Sequence, residues 1–233
     1  MKPPDLREAH LAVTRTARYA TLGEAGPRIR EVWMACHGYG QLAGRFLRRF
    51  EALDDGCRLI VAPEALNRFY LDGGSGPHGS DSRVGATWMT REDRLTDIED
   101  YVRYLDAVHA AAFTALERAT VRFIAFGFSQ GVATICRWAA RTRVRIDHLI
   151  LWAGTLPQEL ALSPDPFHGA RLTIAFGDRD PWASSEVVQR IQSAMKQAAR
   201  EHTLVRYEGG HDIEPRSLLR IAHQQEGGHD GTT

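Results

Sequence analysis

Apolar residues along this chain fall into two alternating patterns. Compact runs at residues 32–36, 59–62, 121–126, 149–152, 172–176 and 204–207 are short and rich in branched and aromatic side chains, as expected of strands buried on both faces. Residues 11–20 alternate less regularly and read as a strand nearer a sheet edge. Between the runs, Leu42, Phe46, Leu47, Phe50 and Leu53 recur at helical spacing, as do Leu95, Ile98, Val102, Leu105, Val108, Ala112 and Leu116. Residues 132–141 and 187–199 fit two further helices, and Thr90, three residues before Asp93, is placed to cap the long one. Alternation of strand and helix predicts an α/β protein with a mostly parallel central sheet and helices on both faces.

Two stretches break this rhythm. Residues 67–88 hold five glycines, Pro77 and several Ser and Asp residues, so a long loop is expected there. From residue 223 onward the sequence turns polar and glycine-rich, which predicts a mobile tail (223–233) after a single domain (1–222).

Composition narrows the function classes. The 29 basic residues, all arginine except Lys2 and Lys196, balance 29 acidic ones, so no overall field favours nucleic acid or an anionic membrane. Cys36, Cys57 and Cys136 have neither a metal-ligand spacing nor the density of a disulfide framework, and read as buried thiols. No stretch has the length of a membrane span and the first ten residues lack the apolar core of a signal peptide, so a cytoplasmic protein is expected.

The most specific chemistry lies at Gly127-Phe128-Ser129-Gln130-Gly131. It follows the run at 121–126 and precedes the helix at 132–141, the strand–turn–helix setting in which G-x-S-x-G exposes a nucleophilic serine. The tight turn strains the serine backbone and sets it at a helix N-terminus, where amides and the helix dipole favour developing negative charge. The structural alternative is a glycine-flanked helix start with Ser129 as an ordinary cap.

A serine hydroxyl needs a base, usually a histidine oriented by a carboxylate, and with this serine turn the partners follow in the order serine, acid, histidine. Six histidines follow Ser129. His148, His168 and His202 stand before strands, at the wrong end; His223 falls on a terminal helix and His229 in the tail. His211 directly follows the run at 204–207 through Gly209-Gly210, at the carboxyl end of a strand, where open α/β sheets place their sites. Asp178 and Asp180 both follow the run at 172–176. Asp180, just before Pro181, is the expected triad acid, and Asp178 the residue that holds the turn.

After residues 32–36 comes His37-Gly38-Tyr39-Gly40-Gln41, a turn that can aim backbone amides at an oxyanion; by position the amides of Tyr39 and Gln130 would form the pair. Phe69, Tyr70, Trp88 and Trp182 fall on expected loops nearby and are candidates to line an apolar pocket, with ordinary loop packing as their alternative.

Taken in order, His37-Gly38-Tyr39-Gly40, the Ser129 pentapeptide, Gly177-Asp178-Arg179-Asp180-Pro181 and Gly209-Gly210-His211 resemble the carboxylesterase/phospholipase branch of the α/β hydrolases, which includes small esterases and acyl-protein thioesterases. The resemblance covers nearly the whole chain. It implies an α/β-hydrolase fold without a large cap, no metal and no organic cofactor, and hydrolysis of small-molecule esters or thioesters through an acyl-enzyme. Trp182-Ala183 replaces the Val-Pro often seen after the acid, Trp88-Met89 replaces a common Trp-Phe, and Tyr39 and Gln41 stand where many relatives differ. Short to medium acyl chains are expected, with phospholipase or thioesterase action as the alternative and a non-catalytic binding protein as the reading from another class. A homodimer is compatible with the family.

Overall fold

The structure, a computed structural model, describes residues 7–72, 79–161 and 165–224. Residues 73–78 of the expected loop, and the tail beyond Gln224 with His229, lie outside the described residues.

The expected inner strands appear as β2 (Glu31–Cys36), β3 (Arg58–Pro63), β6 (Arg122–Phe128), β7 (His148–Trp152), β8 (Arg171–Gly177) and β9 (Thr203–Tyr207). The edge strand expected over residues 11–20 is displaced: residues 7–18 form no regular element, with Leu11 and Val13 exposed, and β1 is Tyr19–Leu22, the stretch that lies opposite Ile60–Pro63 of β3. All seven form one sheet in the order β1-β3-β2-β6-β7-β8-β9. Only β1 is antiparallel to its neighbour; every other pairing is parallel. The helices are α1 (Ala43–Leu47), α2 (Arg94–Ala112), α3 (Gln130–Ala139), α4 (Gln158–Ala161), α5 (Ser185–Gln197) and α6 (Pro215–His223).

The two-residue period of a strand divides the core. Val32, Met34 and Cys36 of β2 join Phe123 and Ala125 of β6 on one face, beneath Tyr101 and Leu105 of α2, Trp138 of α3 and Met195 of α5. Trp33 and Ala35 point the other way with Ile124 and Phe126, beneath Phe46 of α1 and Leu218 and Ile221 of α6. Both faces of the inner strands are therefore apolar, which is why these segments read as continuous runs.

The order of strands places the site. From β2 the chain crosses to β3 on one side; from β3 it returns through α2 to β6 on the other. The loops leaving β2 and β6 thus diverge and open a crevice at the carboxyl ends of two neighbouring strands. Their register sets Cys36 beside Gly127, so the chain leaves β2 at His37 level with Phe128, the last residue of β6.

Three further expectations are corrected. Residues 67–88 are not a single long loop: Asn67–Tyr70 (β4) and Val84–Thr87 (β5) pair antiparallel, from Asn67 opposite Thr87 to Tyr70 opposite Val84. Ala86 also bridges Gln41, so this hairpin supports the turn after β2. Thr90 does not cap α2, because Asp93, at φ 47°, reverses the chain just before the helix and the Thr90 hydroxyl donates to the Glu92 carbonyl instead. Residues 42–53 are not one α-helix: α1 tightens after Leu47 into a 3-10 turn over Arg48–Leu53, with Phe46, Phe50 and Leu53 still buried.

A buried carboxylate at the end of β3 ties these parts together. Glu64 accepts from Arg18 at 2.7 and 3.0 Å, from Arg68 at 2.7 Å and from the Ala43 amide at 3.3 Å. Burial alone raises a carboxyl, but the guanidinium hydrogen bonds outweigh it and hold Glu64 below its ordinary value.

Candidate active site

Close packing fixes the turn that presents Ser129. A β-carbon on Gly127 would lie 2.5 Å from the Gly131 carbonyl oxygen, and one on Gly131 would collide with the carbonyl of Cys36, so only glycine lets α3 start this close to β2 and β6. Between them Ser129 is held at φ 54° and ψ −117°, a conformation costly for a residue with a side chain. Its amide donates to the Trp152 carbonyl at 2.9 Å. Its hydroxyl makes no cap bond to α3, which sets aside the reading of an ordinary capping serine.

That hydroxyl meets His211 instead. Ser129 Oγ lies 2.9 Å from His211 Nε2, and His211 Nδ1 lies 2.9 Å from Asp180 Oδ2. A carboxylate only accepts, so Nδ1 carries the ring proton and Nε2 is left to accept from the serine. The Asp180 carboxylate is buried while the imidazole is a quarter exposed, its ring 5.1 Å from that of Phe128. Asp180 Oδ1 accepts from the Trp182 amide at 2.9 Å, so both carboxylate oxygens have fixed partners.

Asp178 serves the neighbouring loop. Its Oδ1 accepts from the Gly209 amide at 2.8 Å, and the Asp178 amide donates to the Tyr207 carbonyl. The far side of the His211 loop is held by Tyr207, whose hydroxyl donates to the Asp212 carbonyl at 2.6 Å, and by Trp152 Nε1, which donates to the same oxygen at 2.9 Å. Burial pushes the Tyr207 phenol up to about 12, so it stays a donor at any neutral pH.

The turn after β2 lies against the serine: a β-carbon on Gly38 would sit 3.2 Å from Ser129 Cβ. Gly38 N donates to Gln41 Oε1 at 2.8 Å and Gly40 N to the Ala86 carbonyl at 2.9 Å. The amides of Tyr39 and Gln130 have no protein acceptor among the described residues. His37 is fully buried beneath this turn; its Nδ1 donates to the Gly38 carbonyl at 2.8 Å and its Nε2 accepts from the Ala65 amide at 3.0 Å. Burial lowers its pKa, and a neutral ring is what this pair of bonds requires.

The expected pocket residues separate. Trp88 is a correction: it is 1% exposed, its ring packs on Tyr101 and His37, and its Nε1 donates to the His37 carbonyl at 2.8 Å, so it lies under the site as a support. Phe69 is half-buried and stacks on Tyr39 with ring centres 5.1 Å apart. Tyr39, Tyr70 and Trp182 are exposed.

One side chain was missed in the sequence. Gln130, expected to contribute only its backbone amide, also donates through Nε2 to the Met89 carbonyl at 3.0 Å and to Thr87 Oγ1 at 2.9 Å, and accepts through Oε1 from the Trp88 amide at 3.2 Å. It fastens the end of β5 to the serine turn. Its contacts lie more than 40 positions away, so no local pattern marks them.

Among the described residues, no group of three or more His, Cys, Asp or Glu side chains is arranged to hold a metal ion, and no helix is long and apolar enough to cross a membrane.

Comparison with known proteins follows the same lines. A family model described as phospholipase/carboxylesterase matches residues 85–225, more than half of the chain, leaving the His37–Gln41 turn outside the match. None of the curated proteins matches in sequence. Among solved structures, esterase PE8 is similar with 21% identity and a TM-score of 0.64, over 91% of this chain and 99% of that one. Acyl-protein thioesterase 2 of Zea mays shares 17% identity with a TM-score of 0.64, over 91% and 98%. A carboxylesterase from Mesorhizobium loti shares 16%, also with a TM-score of 0.64, over 91% and 95%. At these identities the likeness is one of fold.

Proposed function

The chain belongs to the phospholipase/carboxylesterase family of α/β hydrolases, and from that premise we propose that it is a serine esterase in which Ser129 is the nucleophile, His211 the base and Asp180 the orienting acid. The observation that carries this reading is the unbroken chain of 2.9 Å contacts from Ser129 Oγ through His211 to Asp180. The activity is assigned to one domain, residues 1–222, and needs no cofactor.

The geometry supports the following sequence. As Ser129 Oγ attacks the ester carbonyl carbon, its proton passes to His211 Nε2, and the imidazolium is stabilised by the buried Asp180 carboxylate. The carbonyl electrons move onto oxygen, toward the amides of Tyr39 and Gln130. Two such donors are worth about 3–4 kcal/mol each where water is excluded. On collapse of the intermediate, the C–O bond to the alcohol breaks and His211 returns its proton to the leaving oxygen. Water then repeats the cycle: His211 removes its proton, the hydroxide oxygen adds to the acyl carbon, and Ser129 Oγ leaves with the proton and frees the acid. A serine that served only as a helix cap would keep its hydroxyl on the helix amides, and this one does not.

The exposed Tyr39, Tyr70 and Trp182 favour small esters with short to medium acyl chains, held at an open rim. The test is turnover of p-nitrophenyl esters of graded chain length beside an acyl-thioester and a lysophospholipid, with Ser129→Ala as control. Highest kcat/KM on the short aryl esters, falling at least about 10⁴-fold in Ser129→Ala, is the expected result. A preference for lysophospholipid or thioester reassigns the substrate; wild-type turnover by Ser129→Ala removes the mechanism.

A further inference from the structure

At the end of the sheet opposite Ser129 lies a basin of about 1320 Å³, walled by the amino ends of β2, β3, β6, β7 and β8. Seven arginines line it against three carboxylates, in a chain whose overall charge is zero. The three carboxylates are already engaged. Glu31 pairs with Arg58 at 3.0 Å and with Arg122; Asp55 pairs with Arg58; Asp147 is shared by Arg118 at 3.1 Å and Arg145 at 3.3 Å.

Three arginines are left over. Arg30, Arg143 and Arg171 are exposed and have no carboxylate partner among the described residues. Arg30 is nevertheless oriented, since its Nη1 donates to the carbonyls of Pro27 at 2.8 Å and Ile29 at 3.2 Å. Arg118 is likewise fixed, donating to the carbonyls of Val121 and Arg145 and lying 5.6 Å over the Phe113 ring. Such bonds hold guanidinium groups in place without neutralising them. Surplus positive charge in a concave wall focuses the field on its interior, and planar guanidinium forks match phosphate oxygens two at a time.

We propose that this basin is a binding site for a polyphosphorylated small molecule, with Arg30, Arg143 and Arg171 supplying the uncompensated charge. At about 1320 Å³ it exceeds the roughly 300–1,000 Å³ of ordinary small-ligand pockets and leaves room for an extended polyphosphate chain. The seven-residue β6 separates it from Ser129 by about 20 Å, so the ligand is not the ester substrate. The inference is independent of the esterase reading.

Against the expectation of three buried thiols, Cys57 stands just before β3 and lies exposed on the basin wall while Cys36 and Cys136 are buried, so alkylation of the intact protein reports occupancy at one thiol. Sodium tripolyphosphate and ATP are titrated by calorimetry at low salt, and the rate of Cys57 alkylation by iodoacetamide is followed with each. The comparison protein is the double variant Arg143→Ser/Arg171→Ser, which replaces two side chains that have no hydrogen-bond or ion-pair partner among the described residues. Saturable binding, slowed Cys57 alkylation, and an affinity weakened at least roughly tenfold in the double variant with p-nitrophenyl acetate hydrolysis unchanged are the expected results. Equal binding of the two probes identifies the phosphate chain as the recognised group; tighter binding of ATP adds the nucleoside. Undiminished binding by the double variant, equal protection by sodium sulfate at the same ionic strength, or binding of a duplex oligonucleotide that tripolyphosphate does not displace would each overturn the proposal.

Discussion

Replacing Asp180 by Asn tests the proposed base through a single proton. Asp180 Oδ2 accepts from His211 Nδ1 and Oδ1 from the Trp182 amide, both at 2.9 Å, and the carboxylate is fully shielded from water. Asparagine has nearly the same shape, but only its oxygen accepts. The Trp182 amide is a fixed donor and retains that oxygen, which turns the new NH2 group toward His211. Nδ1 must then accept, the ring proton moves to Nε2, and Ser129 loses the acceptor for its own proton. The variant keeps every heavy-atom position and lacks the base, and it also loses the negative charge that stabilises the imidazolium. A loss of about 10⁴ in kcat is expected, near 5.5 kcal/mol in activation free energy, with KM within about threefold of wild type. Steady-state hydrolysis of p-nitrophenyl acetate measures it, with an unchanged circular dichroism spectrum as the check on folding. A kcat within tenfold of wild type would refute the assigned role of Asp180.

Gln130→Ala keeps the proposed oxyanion amide but strands the Trp88 amide and leaves the Met89 carbonyl to the Thr87 hydroxyl alone; a stability loss of about 1–3 kcal/mol in urea titration and a fall in kcat larger than any rise in KM are expected, and an unchanged melting curve would show the side chain to be idle. Glu64→Gln removes a carboxylate whose folded-state pKa is depressed, so its contribution is complete above the unfolded value of about 4.3 and fades as pH falls through the folded one. Urea midpoints should therefore differ most at pH 7 and converge in acid; a gap that stays constant below pH 4 would contradict this. His109, packed 4.7 Å from the rings of Phe113 and Phe123 and held neutral by burial with a pKa near 4, resists protonation in the fold. Stability should decline as pH falls from about 6.5 toward 4, and His109→Phe should flatten that slope; an identical slope in the variant counts against it.

What could be read in the sequence follows from how local its causes are. The inner strands announced themselves because both of their faces are buried, and the serine turn because its glycines, strand and helix are contiguous. Asp180 and His211 followed from their places after β8 and β9, since parallel strands bring their carboxyl ends together. The β4–β5 hairpin was hidden because its two strands, short and interrupted by Gly85, are joined through a polar, glycine-rich stretch and stabilised by a bridge to Gln41. Trp88 looked like a pocket residue on the same grounds; its burial depends on the carbonyl of His37, 51 positions away. Glu64 carried no signal at all, because its partner Arg18 lies 46 residues earlier and ion pairs leave no periodicity.

The central claim is that Ser129 is an activated nucleophile. Treating the intact protein with a fluorophosphonate and mapping the adduct by peptide mass spectrometry tests it most directly. Stoichiometric labelling at Ser129, abolished in His211→Ala and accompanied by complete loss of esterase turnover, is the expected result. Labelling at any other residue, or full turnover by protein quantitatively modified at Ser129, would contradict it.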